Sequence, residues 1–245
     1  MTQQAQLTAY PVWDRTVRLF HWINVLCVLA LIAIGVAILN GKALGVTDDG
    51  KLLLKTIHVY FGYVFAANLT WRIIWGFIGN RYARWGSILP FNVEHRTQLV
   101  AMISGAKSGK PVGFLGHNPI GRLMVGVLFL LLSAQAITGL VLAGTDVYMP
   151  PLGNTVKEWI ASDPSLVGSI KPYSKEGIDE IAYKQMRDVR KPFITVHYYT
   201  FYTLLAAIIL HLIGVVVTEL RERNGLVSAM FTGKKVFAEK PFDTE

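Results

Sequence analysis

The chain has 245 residues, 52% of them hydrophobic and only 16% charged, and a mean hydropathy of +0.40, too apolar for an ordinary soluble domain, where charged residues come nearer a quarter. The net charge of +8 comes from basic residues that flank apolar runs, so membrane topology accounts for it and no nucleic-acid partner is called for. A single cysteine, Cys27, excludes a disulfide framework, a cysteine-ligated cluster and a CxxCH attachment site, and reads as a small packing residue.

Four runs are long enough to cross a bilayer, about 19–39, 56–79, 120–143 and 192–218. The start, MTQQAQLTAYP, is polar and expected to be mobile. It leads into VWDRTVRLFHWINVLCVLALIAIG, in which Arg15 and Arg18 mark one membrane edge and His21 lies about one turn inside it. No small-residue cleavage pattern closes this first run, so it is expected to stay as a helix of the mature protein. Gly35 follows His21 by fourteen residues, an offset at which a missing side chain would let a flat macrocycle lie against the helix.

The stretch NGKALGVTDDGK has turn chemistry and returns the chain. The second run opens with His58 near the opposite edge, and Gly62 and Gly76 repeat the fourteen-residue offset. Arg72, near its inner end, can snorkel to the headgroups or pair with a carboxylate of a bound cofactor. The next loop mixes Trp and Tyr with Arg and Lys, and Val93, Leu99, Val100, Met102 and Ile103 predict a short amphipathic interfacial helix. His95 reads there as a solvated surface residue and His117 as a loop residue. The third run has no histidine and reads as a packing helix, with Gly126 and Gly139 allowing close approach. A long outer loop, 144–191, follows; EGIDEIAYKQMRDV predicts a short helix in it, and the loop suits either a docking surface or a cap.

The fourth run, PFITVHYYTFYTLLAAIILHLIGVVVT, carries no formal charge but two histidines, His197 and His211. Fourteen residues are close to four helical turns, so both rings project from nearly the same face, roughly 21 Å apart. An ionisable side chain inside hydrocarbon is costly and needs a partner. With alternating helix direction, His21 and His211 share the inner depth, and His58 and His197 share the outer one. All four membrane histidines are then used in two pairs, as bis-histidine ligation of two b-type haems requires; hydrogen bonding of each histidine to a neighbouring helix is the plainer alternative. Glu219 and Arg221 at the end of this run could handle protons or simply anchor the helix. The tail, 219–245, is basic near the membrane, and LVSAMFTGKKVF would suit an interfacial segment.

If the N-terminus is cytoplasmic, that side collects fourteen Lys and Arg against seven acidic residues, and the other side ten against nine. This predicts a multi-pass protein of a bacterial inner membrane with both termini cytoplasmic.

The segments VWDRTVRLFHW, WRIIWGFIGNRYARW, GHNPIGR and VHYYTFYTLLAAIILH resemble the bacterial cytochrome b561 family, including the b-type cytochrome subunit of membrane-bound nickel–iron hydrogenases, over nearly the whole chain. The resemblance implies an all-α integral membrane four-helix bundle, a single cytochrome b domain over 1–245, with two haems b held between helices by His21, His58, His197 and His211. It implies electron transfer between membrane quinone or quinol and a redox partner, more an electron-transfer subunit than an independent enzyme. A shorter first outer loop and a longer loop before the fourth helix than a hydrogenase subunit would need point to a periplasmic c-type cytochrome or another oxidoreductase as partner. Two other classes stay open: a stand-alone haem-dependent quinone reductase oxidising a small reductant at the outer face, and a haem-free proton transporter with a histidine relay.

Overall fold

The computed structural model of the chain describes residues 7–109 and 112–244. The expected mobility of the start therefore falls, over Met1–Gln6, outside the described residues. In chain order the elements are β1 (Thr8–Pro11), α1 (Arg15–Leu39), α2 (Asp48–Ile78), α3 (Trp85–Ile88), α4 (Val93–Lys107), α5 (Pro119–Asp146), α6 (Gly153–Ile160), α7 (Glu180–Glu222), α8 (Leu226–Thr232) and β2 (Lys234–Phe237). Helices α1, α2, α5 and α7 are long and apolar enough to cross a membrane. Their flanks carry apolar side chains open to the surroundings, Leu26, Phe77 and Leu130 each being 68% exposed or more, as lipid-facing residues are. The helical membrane fold expected from the apolar runs is thus the fold observed.

Two boundaries differ from the sequence reading. Asp48 and Asp49 belong to the first turn of α2 instead of a loop, where their charge suits the helix N-terminus and the Thr47 hydroxyl accepts from the Gly50 amide at 3.2 Å. The short helix expected over EGIDEIAYKQMRDV is not separate: it is the start of α7, which runs unbroken for 43 residues with Pro192 inside. Proline costs the helix one amide donor, for the Asp188 carbonyl, at a charged segment where water can replace it, so the helix continues. At about 64 Å, α7 is roughly twice the thickness of a hydrocarbon core and must extend beyond it.

The described chain divides into two compact units. The first gathers Met1–Trp22, Thr70–Leu130 and Leu204–Glu245. In it β1 and β2 pair antiparallel, Thr8 opposite Phe237 and Pro11 opposite Lys234, so the presumed mobile start and the presumed interfacial tail are tied to each other. Gly233, at φ +81°, accepts from the amides of Val12 and Trp13 at 2.8 and 3.2 Å; a Cβ there would lie 2.7 Å from the Trp13 carbonyl oxygen. Asp14 caps α1 through the Val17 amide at 2.8 Å and accepts from Trp75 Nε1 at 2.9 Å. Around these bonds Val12, Trp13, Val17, Ala83, Leu115 and Ala229 form an apolar core.

Lys235 sits in this unit only 2% exposed, donating to the carbonyls of Phe114 at 3.2 Å and Gly116 at 3.0 Å. Asp243 closes the same turn by accepting from the amides of Leu115 and Gly116.

The second unit gathers Ile23–Leu69 and Leu131–Thr203. Val156, Ile160, Ile170 and Met186 form the core of its non-membrane part, so the 144–191 loop has structure of its own. Asp146 is held by both Lys55 and Arg190, the latter at 3.0 Å, and Tyr63 donates to the Pro150 carbonyl.

Burial lowers the Lys235 ammonium from its ordinary 10.5 to about 8, against the raising pull of Glu222, Asp243 and Glu219. Between those values the unfolded chain binds the proton and the folded one does not, so stability rises with pH from about 8 to 10.5, by roughly 3 kcal/mol in all. Thermal unfolding of the wild type and Lys235→Met across pH 7 to 11 is expected to show that rise in the wild type alone.

Candidate cofactor site

In the first unit α1 presents His21 and α7 presents His211, close enough to interact electrostatically. The register of α1 there is set by Trp22, whose Nε1 donates to the Met230 carbonyl at 3.1 Å, and by Arg18, which donates to the Phe231 carbonyl. Arg72 does not snorkel to the headgroups. It is 4% exposed, its Nη2 donates to the Ala83 carbonyl at 3.1 Å, and its guanidinium lies 5.4 to 5.9 Å from the ring centres of Phe129, Trp85 and Phe20. Arg122, on the first turn of α5, is 2% exposed and has only a 3.6 Å contact to Glu94. Asn118 and Pro119 place it: the Asn118 side chain accepts from the Gly121 amide at 2.7 Å and proline fixes the first helical position.

Between these groups lies His117, half-buried with its ring 4.7 Å from that of Trp13 and electrostatically coupled to Lys235, Arg72, Arg122 and His211. Burial first, and then those cations, hold its pKa down to about 3, so the ring is neutral at pH 7. The sequence reading left His117 as a loop residue without a part in the site. The signal that could have found it is its place in GHNPIGR, immediately before the helix start that carries Arg122. His95, read as a solvated residue, is instead half-buried with its Nδ1 enclosed. Glu219 is engaged as an anchor, its carboxylate accepting from the Val227 amide at 3.1 Å.

In the second unit α2 presents His58 and α7 presents His197, also within electrostatic reach of each other. Gly35 of α1 faces the first ring and Gly139 of α5 the second: a Cβ at either glycine would meet the ring's Cε1 at 3.5 Å. Gly76, by contrast, makes room for the Trp85 indole, which a Cβ would meet at 2.3 Å. The α5 helix does more than pack. Its Gln135 donates to the His197 carbonyl at 3.0 Å and its Thr138 hydroxyl lies 2.8 Å from His197 Nδ1.

Several buried nitrogens have no hydrogen-bond partner among the described residues, including Arg72 Nη1, Arg122 Nε and Nη1, and the Nδ1 atoms of His21, His58 and His117. Unpaired guanidinium nitrogens in an apolar setting are expensive, so they ask for an anion from outside the chain. Among the described residues no three His, Cys, Asp or Glu side chains converge as a cage for a metal ion; what converge are two pairs of imidazoles. Paired axial nitrogens with buried cations beside one of the pairs are what a haem with its two propionates would use, and the residues present fit that group.

The helices and these side chains define a multi-pass membrane protein built to hold a flat, anionic, metal-bearing cofactor between helices. The comparison with known families is specific: residues 12–233 match the prokaryotic cytochrome b561 model, and the chain belongs to that family. It is a b-type cytochrome family, so haem b and membrane electron transport come with membership. Among similar proteins is the probable Ni/Fe-hydrogenase B-type cytochrome subunit of Cupriavidus necator, 24% identical over 241 residues, covering 95% of this chain and 89% of the relative. The corresponding protein of Rhizobium leguminosarum bv. viciae is 27% identical, with 94% and 90% covered. The probable Ni/Fe-hydrogenase 1 B-type cytochrome subunit of Escherichia coli K12 is 31% identical over 149 residues, 56% of this chain and 61% of the relative. No solved structure matches the chain.

The 3.5 Å clearance at Gly35 has a consequence for haem content. A methyl group makes an ordinary contact with the His58 ring there, whereas a larger side chain must displace the ring. Gly35→Ala is expected to keep its haem and Gly35→Leu to lose a substantial part of it, as measured by haem per purified polypeptide.

Proposed function

We propose that this chain is a di-haem b-type cytochrome, a single functional domain over 1–245, that passes electrons between membrane quinone and a redox partner on the periplasmic side of a bacterial inner membrane. The observation that carries the reading is the pairing of the four intramembrane histidines, His21 with His211 and His58 with His197, one pair in each compact unit. Each pair would hold one haem b. Arg72 and Arg122, with His117 beside them, would take the propionates of the haem held by His21 and His211, since each keeps buried nitrogens without a hydrogen-bond partner among the described residues.

When bound, the haem iron supplies a one-electron couple. The chain's own part is to hold and tune it. Two imidazoles for each iron, supplied by His21 with His211 and by His58 with His197, would leave no place for a small molecule to bind, which suits electron transfer over bond-making. The buried guanidiniums of Arg72 and Arg122 would neutralise carboxylates that apolar surroundings could not otherwise solvate.

Basic residues concentrated beside β1, the 80–118 segment and the tail support cytoplasmic termini. The partner would then dock on the other side, over α6 and the projecting start of α7, where Trp159 and Ile181 are exposed. The names of the relatives make a nickel–iron hydrogenase the leading choice of partner, with another periplasmic oxidoreductase or a c-type cytochrome behind it. A lipid-soluble quinone or quinol is the natural exchange partner within the bilayer.

A reduced-minus-oxidised spectrum with a pyridine haemochrome assay on the purified chain is expected to give two low-spin b-type haems per polypeptide. His197→Ala should lose one haem and His211→Ala the other; loss of both haems from either variant in folded protein would falsify the pairing. The guanidiniums make a second test possible. Arg122→Met is expected to weaken haem retention in the loaded protein yet to raise the melting temperature of the haem-free one, because it removes a buried guanidinium whose one ion pair, to the half-exposed Glu94, is long at 3.6 Å and whose Nε and Nη1 only the cofactor would engage.

A further inference from the structure

We infer that Thr138 is a positioning residue that fixes the tautomer of His197 and lowers the potential of the haem it holds; this rests on the reading of His197 as an axial ligand. Thr138 is 5% exposed, on α5, with its hydroxyl 2.6 Å from the Ala134 carbonyl and 2.8 Å from His197 Nδ1. A hydroxyl has one proton. The carbonyl can only accept, so that proton goes to Ala134, and the hydroxyl lone pair is left facing the ring. His197 Nδ1 must then carry the hydrogen and donate to Thr138, which puts the free lone pair on Nε2, the atom a haem iron would bind.

The effect is confined to this ring among those whose Nδ1 can be compared. The Nδ1 atoms of His21 and His58 are buried without a hydrogen-bond partner among the described residues. A ligand imidazole whose N–H is accepted by an oxygen is a stronger donor to the metal, which favours the ferric over the ferrous state and lowers the potential. Gln135 serves a different purpose. It binds the His197 backbone carbonyl and holds α5 against α7 without touching the ring nitrogen, which makes it the control.

The experiment is an optical redox titration of the purified full chain, with low-spin EPR of each haem, for Thr138→Val, Thr138→Ser and Gln135→Leu. Valine removes the acceptor at nearly constant volume and should raise one of the two midpoint potentials and shift the EPR signal of that haem, leaving the other haem unmoved. Serine should restore both readouts. Should valine cost the haem altogether, Thr138→Cys keeps a side chain of similar size with a weaker acceptor and should shift the potential in the same direction. Unmoved potentials in a fully loaded valine or cysteine variant, failure of serine to restore them, or an equal shift in Gln135→Leu would each overturn the role of Thr138. Full retention of both haems in His197→Ala would instead overturn the ligand reading on which it stands.

Discussion

The structure turns on the demand that a polar atom inside an apolar medium have a partner. Helices meet that demand for the backbone, which is why the membrane part is four long helices. Side chains must meet it individually, and here they do so in two ways. Asp146 is paired within the chain by Lys55 and Arg190, and Lys235 by carbonyls and neighbouring acids. Arg72 and Arg122 are buried to a similar degree but keep donors with no hydrogen-bond partner among the described residues. On the proposed reading, buried donors left without a partner at such cost would serve a binding site beside one pair of intramembrane histidines.

The segments around that site explain how it is held. The β1–β2 ribbon, the Gly233 turn and the Asp243 bonds draw the two ends of the described chain onto the turn that leads into α5. Asp14 then caps α1 a few residues before His21, and Asn118 caps α5 just before Arg122. Two of the site's side chains, His21 and Arg122, therefore stand within the first two turns of helices whose starts are fixed by caps, where fraying would otherwise be greatest.

Much of this was legible in the residues. Apolar run length exposed the four helices, and the fourteen-residue spacing on the fourth run singled out two depths, because helical period and bilayer thickness are properties of a segment by itself. What stayed hidden depends on contacts between segments. Thr138 looks like any threonine in a membrane helix until α7 brings His197 to it. His117 gains its meaning from cations contributed by α2, α5 and β2. Arg72 is placed by helix-end habit at the headgroups, yet the rings of Phe20, Trp85 and Phe129 and the Ala83 carbonyl hold it inside. The continuity of α7 through Pro192 escaped because proline is read as a breaker, although one lost amide is tolerable where water can reach the freed carbonyl.

On the proposed reading, the two histidine pairs offer their irons different surroundings. A hydrogen-bonded His197 donates more strongly and favours the oxidised state of its haem. Buried Arg72 and Arg122 act on the other haem in the opposite sense: by neutralising propionates they remove negative charge that would stabilise ferric iron. Both influences would set the haem of His21 and His211 above that of His58 and His197 in potential. An electron delivered at the His58–His197 pair would then move downhill toward the His21–His211 pair. On that reading a chain with two bis-histidine sites would acquire a direction from one hydroxyl and two guanidiniums.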